Sequence, residues 1–233
     1  MITVTVLTVA IQGLPALANS SSRKNEVAVA RKALIVLSDF PKGWSTSPSG
    51  GNSNGSAGNA ESNAGVAQAV ACLGIPKSAL NYNAPAADSP YFNENALGLS
   101  VSDEVDIFST SKIAAEFFNI YGSSRSVGCF QRVFRSTAME KFLAGGIGRG
   151  ATVGATKVIR FPKPVAGNES AAMEELVPFT YKGISSTVVV VTVVIMSKSK
   201  SKGAMLTFSN PIESPFATSL AVHLETVTAN RLN

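Results

Sequence analysis

The chain has 233 residues and a net charge of +5, with 45 % hydrophobic and only 15 % charged residues. That is apolar enough to core one or two domains, while the charge lies well below the ~25 % of ordinary soluble domains. Basic residues are scattered except at Lys198, Lys200 and Lys202, which alternate with serines as at a solvated hairpin tip. This argues against the clustered basic face of a nucleic-acid binder and leaves anionic wall polymers or lipid headgroups as the conceivable counter-charges.

Met1 to Ala18 is uncharged and mostly apolar, and Ala16-Leu17-Ala18 followed by Asn19 and three serines reads as a signal-peptide cleavage region. The basic start of such a signal is missing, so either the chain begins upstream or residues 2–18 stay as a membrane tether. Gln12, Gly13 and Pro15 interrupt the apolar run, which disfavours a stable spanning helix. Val27, Ala30, Leu34 and Leu37 predict a helix over 24–38, stopped by Pro41 and Gly43 ahead of Trp44. Residues 45–61 are rich in Ser, Gly and Asn and read as a mobile insert. Asn63 to Leu73 reads as a helix ended by Gly74 and Pro76.

Leu97 to Ile107 predicts a long strand, bulged near Asp103-Glu104. A helix follows from Ser109-Thr110 to Tyr121, then another from Ser126 to Ala144 with a break at Ser136 and an end at Gly145-Gly146. Ala151–Phe161, Glu174–Tyr181, Ser185–Ser197 and Gly203–Ser209 have the spacing of an antiparallel meander. The apolar run Thr187 to Met196 is too short to cross a bilayer and reads as a central strand covered on both faces. Ser214-Pro215 marks the start of a closing helix with Phe216, Leu220, Leu224 and Val227 on one face. These elements predict one α+β domain over 24–233, a mainly antiparallel sheet of about five strands sandwiched by helices.

The chemistry-bearing residues are few. Cys72 and Cys129 form an even pair behind an export-like start, which predicts a structural disulfide and an extracytoplasmic location. His223 is the one histidine, so neither a metal site nor a thiol nucleophile finds enough partners. Ser109 and Lys112 match a Ser-x-x-Lys helix start, but helix capping accounts for them and the companion motifs are missing. Gly145 to Gly154 runs from helix to strand, the reverse of a dinucleotide fingerprint. On a strand Glu104 and Asp106 share one face and Asp103 points to the other; the expectation is a solvated or edge-protecting acidic group. Trp44, Asp103, Asp106 and His223 are the candidates for lining a cleft. No catalytic residue, cofactor or metal is expected.

Leu37-Ser-Asp-Phe-Pro-Lys-Gly-Trp44, Ala71-Cys72-Leu73-Gly74, Ser89-Pro90-Tyr91-Phe92, the strand-to-helix passage Val105 to Ala115 and the place of Cys129 occur together over residues 30–135. In this they resemble actinobacterial secreted proteins and lipoproteins. That group is similar in layout to the extracellular sensor domain of mycobacterial serine/threonine kinases and to PsbP-like α/β/α sandwiches. The resemblance implies an extracytoplasmic sheet-and-helix domain with a cleft for a ligand, and no reaction. The kinase sensors carry a second disulfide that this chain lacks, and nothing here is a kinase domain. The expected function is a non-catalytic ligand-binding or sensor-like domain of the cell envelope, binding a small molecule or envelope component. An envelope protein-interaction module is the alternative and an exported hydrolase the third reading. A deep cavity with convergent polar groups, a shallow apolar patch, or a paired nucleophile and base would distinguish the three.

Overall fold

The computed structural model describes residues 20–47, 67–75 and 86–233. The signal-like start, most of the Ser/Gly/Asn-rich stretch and the first turn of the Asn63 helix lie outside them. The fold is α+β, and its centre is an antiparallel sheet of nine strands among the described residues. These are β1 (Ser45–Ser47), β2 (Ala86–Asp88), β3 (Tyr91–Glu94), β4 (Leu99–Ile107), β5 (Thr152–Val153), β6 (Lys157–Phe161), β7 (Ser170–Tyr181), β8 (Ile184–Met196) and β9 (Lys202–Pro211). The order is β1-β3-β4-β9-β8-β7-β5, with β2 also on β4 and β6 also on β7. The expectation of about five strands is corrected upward. The four long strands carry readable patterns, whereas strands of two to five residues are fixed only by the neighbour they pair with.

The helices are α1 (Ser20–Ala33), α2 (residues 67–73), α3 (Ser111–Gly122), α4 (Ser126–Phe134), α5 (Thr137–Ile147) and α6 (Thr218–Leu232). Local chemistry sets their ends. Thr110 caps α3, its hydroxyl accepting from the Ile113 N–H, so Ser109 and Lys112 are ordinary exposed residues at a helix start. The break inside the second helical stretch is real: Ser136 caps α5 by accepting from the Met139 N–H. Other boundaries differ from expectation. α5 runs through Gly145-Gly146 and stops at Gly148, whose φ of +149° suits glycine. α6 begins at Thr218 rather than at Pro215, with no side-chain cap. Ser45–Ser47, expected to open a mobile insert, is instead paired with Tyr91–Asn93. The β4–β9 register is unbroken from Ser100 to Ile107, so the expected bulge at Asp103-Glu104 is absent.

The two faces of the sheet carry separate cores. On one, α1 and α6 pack over Val101, Val105, Val193, Ile195, Leu206 and Phe208, with Ile35, Leu224 and Leu232 fully buried. On the other, α2 to α4 pack over Met173, Val194, Met196 and Met205, joined by Phe108, Phe117 and Phe130. Both faces of β8 are thereby covered, as its unbroken β-branched run requires. No helix among the described residues is long and apolar enough to cross a membrane.

Candidate functional site

Cys72 on α2 and Cys129 on α4 are joined by a disulfide across a separation of 57 residues. The Arg125 side chain donates to the Cys72 carbonyl (3.3 Å), adding a second tie between the same elements. A disulfide persists in oxidising surroundings, so it is compatible with an extracellular protein.

The cleft candidates from the sequence are not gathered in one place. Trp44 is half-buried among Phe40 and Phe216, with ring centroids 4.7 and 5.8 Å away, and serves the core under α1 and α6. His223 is exposed on α6. Asp103 lies inside on the same face as Trp44, and its Oδ2 accepts from the Ile35 N–H (3.1 Å). Asp106 lies on the opposite face with Glu104, as strand alternation requires.

The acidic group is interior rather than solvated. Asp103, Glu104 and Asp106 are all buried, on both faces of β4. Burial pushes Asp103 up to about 7, opposed by the Ile35 hydrogen bond and by Arg231. Asp106 also rises to about 7 through burial and then the nearby Asp88. Glu104 rises well above the carboxylate range, through burial first and then Asp106, Asp88 and Asp103. Glu175, half-buried on β7, is pushed up to about 8 by desolvation. The Tyr121 phenol of α3 is raised by burial and by Glu175, Glu104 and Asp106, which places it within their electrostatic reach.

The strand register shows what surrounds Glu104. Across the sheet, side chains on this face fall into rows. Asp88, Glu104, Met205 and Val194 form one; Ser47, Tyr91, Ser102, Thr207, Thr192 and Met173 the next; Ser45, Asn93, Ser100, Ser209, Val190 and Glu175 the third. The β7–β8 end is apolar where α3 packs, whereas β3, β4 and β9 present hydroxyl, amide and carboxyl groups. Asn93 Nδ2 donates to Ser47 Oγ (2.9 Å), carrying the polar rows to the β1 edge. At the inner end, Glu104 Oε2, Thr207 Oγ1 and Ser209 Oγ are buried without a hydrogen-bond partner. Other buried orphans, Thr156 Oγ1 and Thr228 Oγ1 for instance, lie away from these rows. Isolated orphans cost stability wherever they occur, and these three stand in adjacent rows on one face.

Sequence reasoning singled out Asp106, which stands one row beyond Glu104, and overlooked Thr207, Ser209 and Thr192. Their signal is the recurrence of hydroxyls at alternate positions of β9 (Thr207, Ser209), facing Ser102 and Ser100 of β4. A second feature is an open groove of about 480 Å³ at the far end of β7 and β8, lined by Thr152, Pro178, Thr180, Ser185 and other uncharged residues. Among the described residues no group of three or more His, Cys, Asp or Glu side chains is spaced to hold a metal ion. No family model, no curated protein and no solved structure matches the chain.

Proposed function

We propose that this chain is a non-catalytic, extracytoplasmic ligand-binding or sensor-like domain of the cell envelope, and that its ligand contacts the polar rows of β3, β4 and β9. One observation carries the reading: Glu104 Oε2, Thr207 Oγ1 and Ser209 Oγ are buried together and unpartnered on one face. A fold tolerates such groups at a cost of about 1–3 kcal/mol each, and a bound molecule that supplies the missing partners recovers it. Export is supported by the disulfide and by the apolar, signal-like residues 2–18. The motifs over residues 30–135 that resemble those of actinobacterial secreted proteins and lipoproteins point the same way.

Thr207→Val tests the reading because it keeps the shape and removes the orphan hydroxyl. Ligand-free Thr207→Val is expected to melt higher than wild type, since replacing an unpaired buried hydroxyl relieves its desolvation. In native mass spectrometry after incubation with an envelope small-molecule extract, wild type is expected to retain an added mass that the variant loses. A lower melting temperature for Thr207→Val would show the hydroxyl to be structural and overturn the proposal. So would equal retention by both proteins.

A further inference from the structure

We propose that the outer edge of the sheet, where α4 and α5 pack on β6 and β5, docks a linear phosphodiester polymer, its phosphates held by the arginines along α4. This surface is separate from the polar rows of β3, β4 and β9, so either proposal can fail without the other.

Charge is segregated along the chain. Between Glu116 and Glu169 stand eight Lys and Arg and a single acid, Glu140, whereas the remainder has 12 basic and 14 acidic residues. The fold gathers this stretch at one edge. There β5 and β6 pair with β7, α4 packs on β6, and α5 packs on β5. Gln131 of α4 fastens the edge strand, donating to the Thr156 carbonyl and accepting from the Val158 N–H (3.0 Å). Lys141, Arg149, Lys157 and Arg160 are exposed on these elements and the turn between them. Lys163 pairs with Glu225, and among the described residues no other cation of the stretch has an acidic partner.

Spacing on α4 sharpens the picture. Arg125 and Arg135 flank the helix and keep helical backbone, so Arg125, Gly128, Arg132 and Arg135 recur at i, i+3, i+7 and i+10 along one face. All four are exposed, opposite the buried Cys129, Phe130 and Val133. The three guanidinium groups thus line about 15 Å of helix. Arg125 is oriented by its bond to the Cys72 carbonyl (3.3 Å). A Cβ on Gly128 would meet nothing, so packing does not require glycine there, although glycine weakens a helix. Its bare backbone lets a chain lie close between Arg125 and Arg132.

The same edge selects the occupant. Nucleic-acid bases stack on exposed aromatic rings, whereas Phe130 and Phe134 of α4 are buried. A bilayer takes apolar anchors, whereas the exposed large hydrophobics among the described residues, Val29, Leu97, Ile184, Ile212 and Val222 for instance, stand on other elements. A row of arginines matches phosphate oxygens repeated along a chain without bases.

The test follows binding of the full-length protein to fluorescently labelled poly(glycerol phosphate) by anisotropy. A single-stranded oligonucleotide of equal phosphate number and phosphatidylglycerol vesicles form the other arms. Saturable binding to poly(glycerol phosphate) is expected, weakening with salt on a log–log slope of about −2, as three phosphate contacts on a single chain require. Arg132→Gln/Arg135→Gln is expected to weaken it about tenfold or more and to bring the slope to about −0.7. Its melting temperature should stay that of wild type, because both side chains are exposed. Lys198→Gln/Lys202→Gln removes the same charge from the β8–β9 turn and is expected to bind like wild type. Absence of saturable binding, or equal losses in the two double variants, would overturn the proposal. Binding to the oligonucleotide or to the vesicles as tight as, or tighter than, to poly(glycerol phosphate) would assign the edge to a nucleic acid or a membrane and overturn it as well.

Discussion

Arg231 ties the end of the chain to its beginning. Its guanidinium donates from Nη1 to Asp39 Oδ2 (2.7 Å), from Nη2 to Asp39 Oδ1 (2.9 Å) and from Nη1 to the Leu34 carbonyl (2.8 Å). Both partners are largely shielded from water, so the bidentate pair holds α6 against the segment after α1. Arg231→Met keeps the apolar stem and leaves the carboxylate of Asp39 with less support. It is expected to destabilise the protein by about 2 kcal/mol in urea unfolding. Arg231→Lys should recover only part of this, because an ammonium cannot form the fork. Equal midpoints for Arg231→Met and wild type would show the clasp to be dispensable. No local pattern joins residue 231 to residue 39, so this contact was not legible in the sequence. The facing of Asp103, Glu104 and Asp106 was legible, because strand alternation dictates it. Their burial was not. A polar position on a strand faces water in a sheet with one covered side, and Ser100, Glu104 and Asp106 are instead buried.

At the scale of elements, the disulfide fastens the short helix α2 to α4. α2 contributes Ala69, Val70 and Leu73 to the core beneath α3 and α4. Closing a loop of 57 residues restricts the unfolded chain and is worth about 4 kcal/mol in the chain-entropy account. The Cys72→Ser/Cys129→Ser double variant is therefore expected to lose stability on that order in urea unfolding, and reductant should shift wild type to the same midpoint. If reduction leaves the midpoint unchanged, α2 is held by its apolar contacts alone. The cysteine pairing followed from an even count and an export-like start. The β7–β8–β9 meander was equally legible, since Lys182 and Gly183 have φ of +50° and +78° as a two-residue hairpin turn demands. By contrast β1, β2, β3 and β5 are too short to show a period and owe their form to the strand beside them. The start of α6 slipped to Thr218 because the turn from Pro211 to Ser214 uses the residues that otherwise resemble a cap.

For the molecule as a whole, the interior acids set how stability depends on pH. Asp103 and Asp106 rise from 3.8 to about 7 on folding, Glu175 rises from 4.5 to about 8, and Glu104 moves in the same direction. Between the unfolded and folded values the native state holds protons that the unfolded chain has released. Stability is therefore fully present below about pH 4 to 4.5 as far as these groups are concerned, and it falls as pH rises toward 7 to 8. Each such group tilts the free energy by about 1.4 kcal/mol per pH unit inside its window. The ligand-free protein is expected to melt higher at pH 5 than at pH 8, opposite to a protein stabilised by paired carboxylates. Glu104→Gln, which fixes one site in its neutral form, should flatten this slope and raise the melting temperature at pH 8. A melting temperature that climbs steadily from pH 5 to pH 8 would mean that these carboxyl groups are paired in the native state.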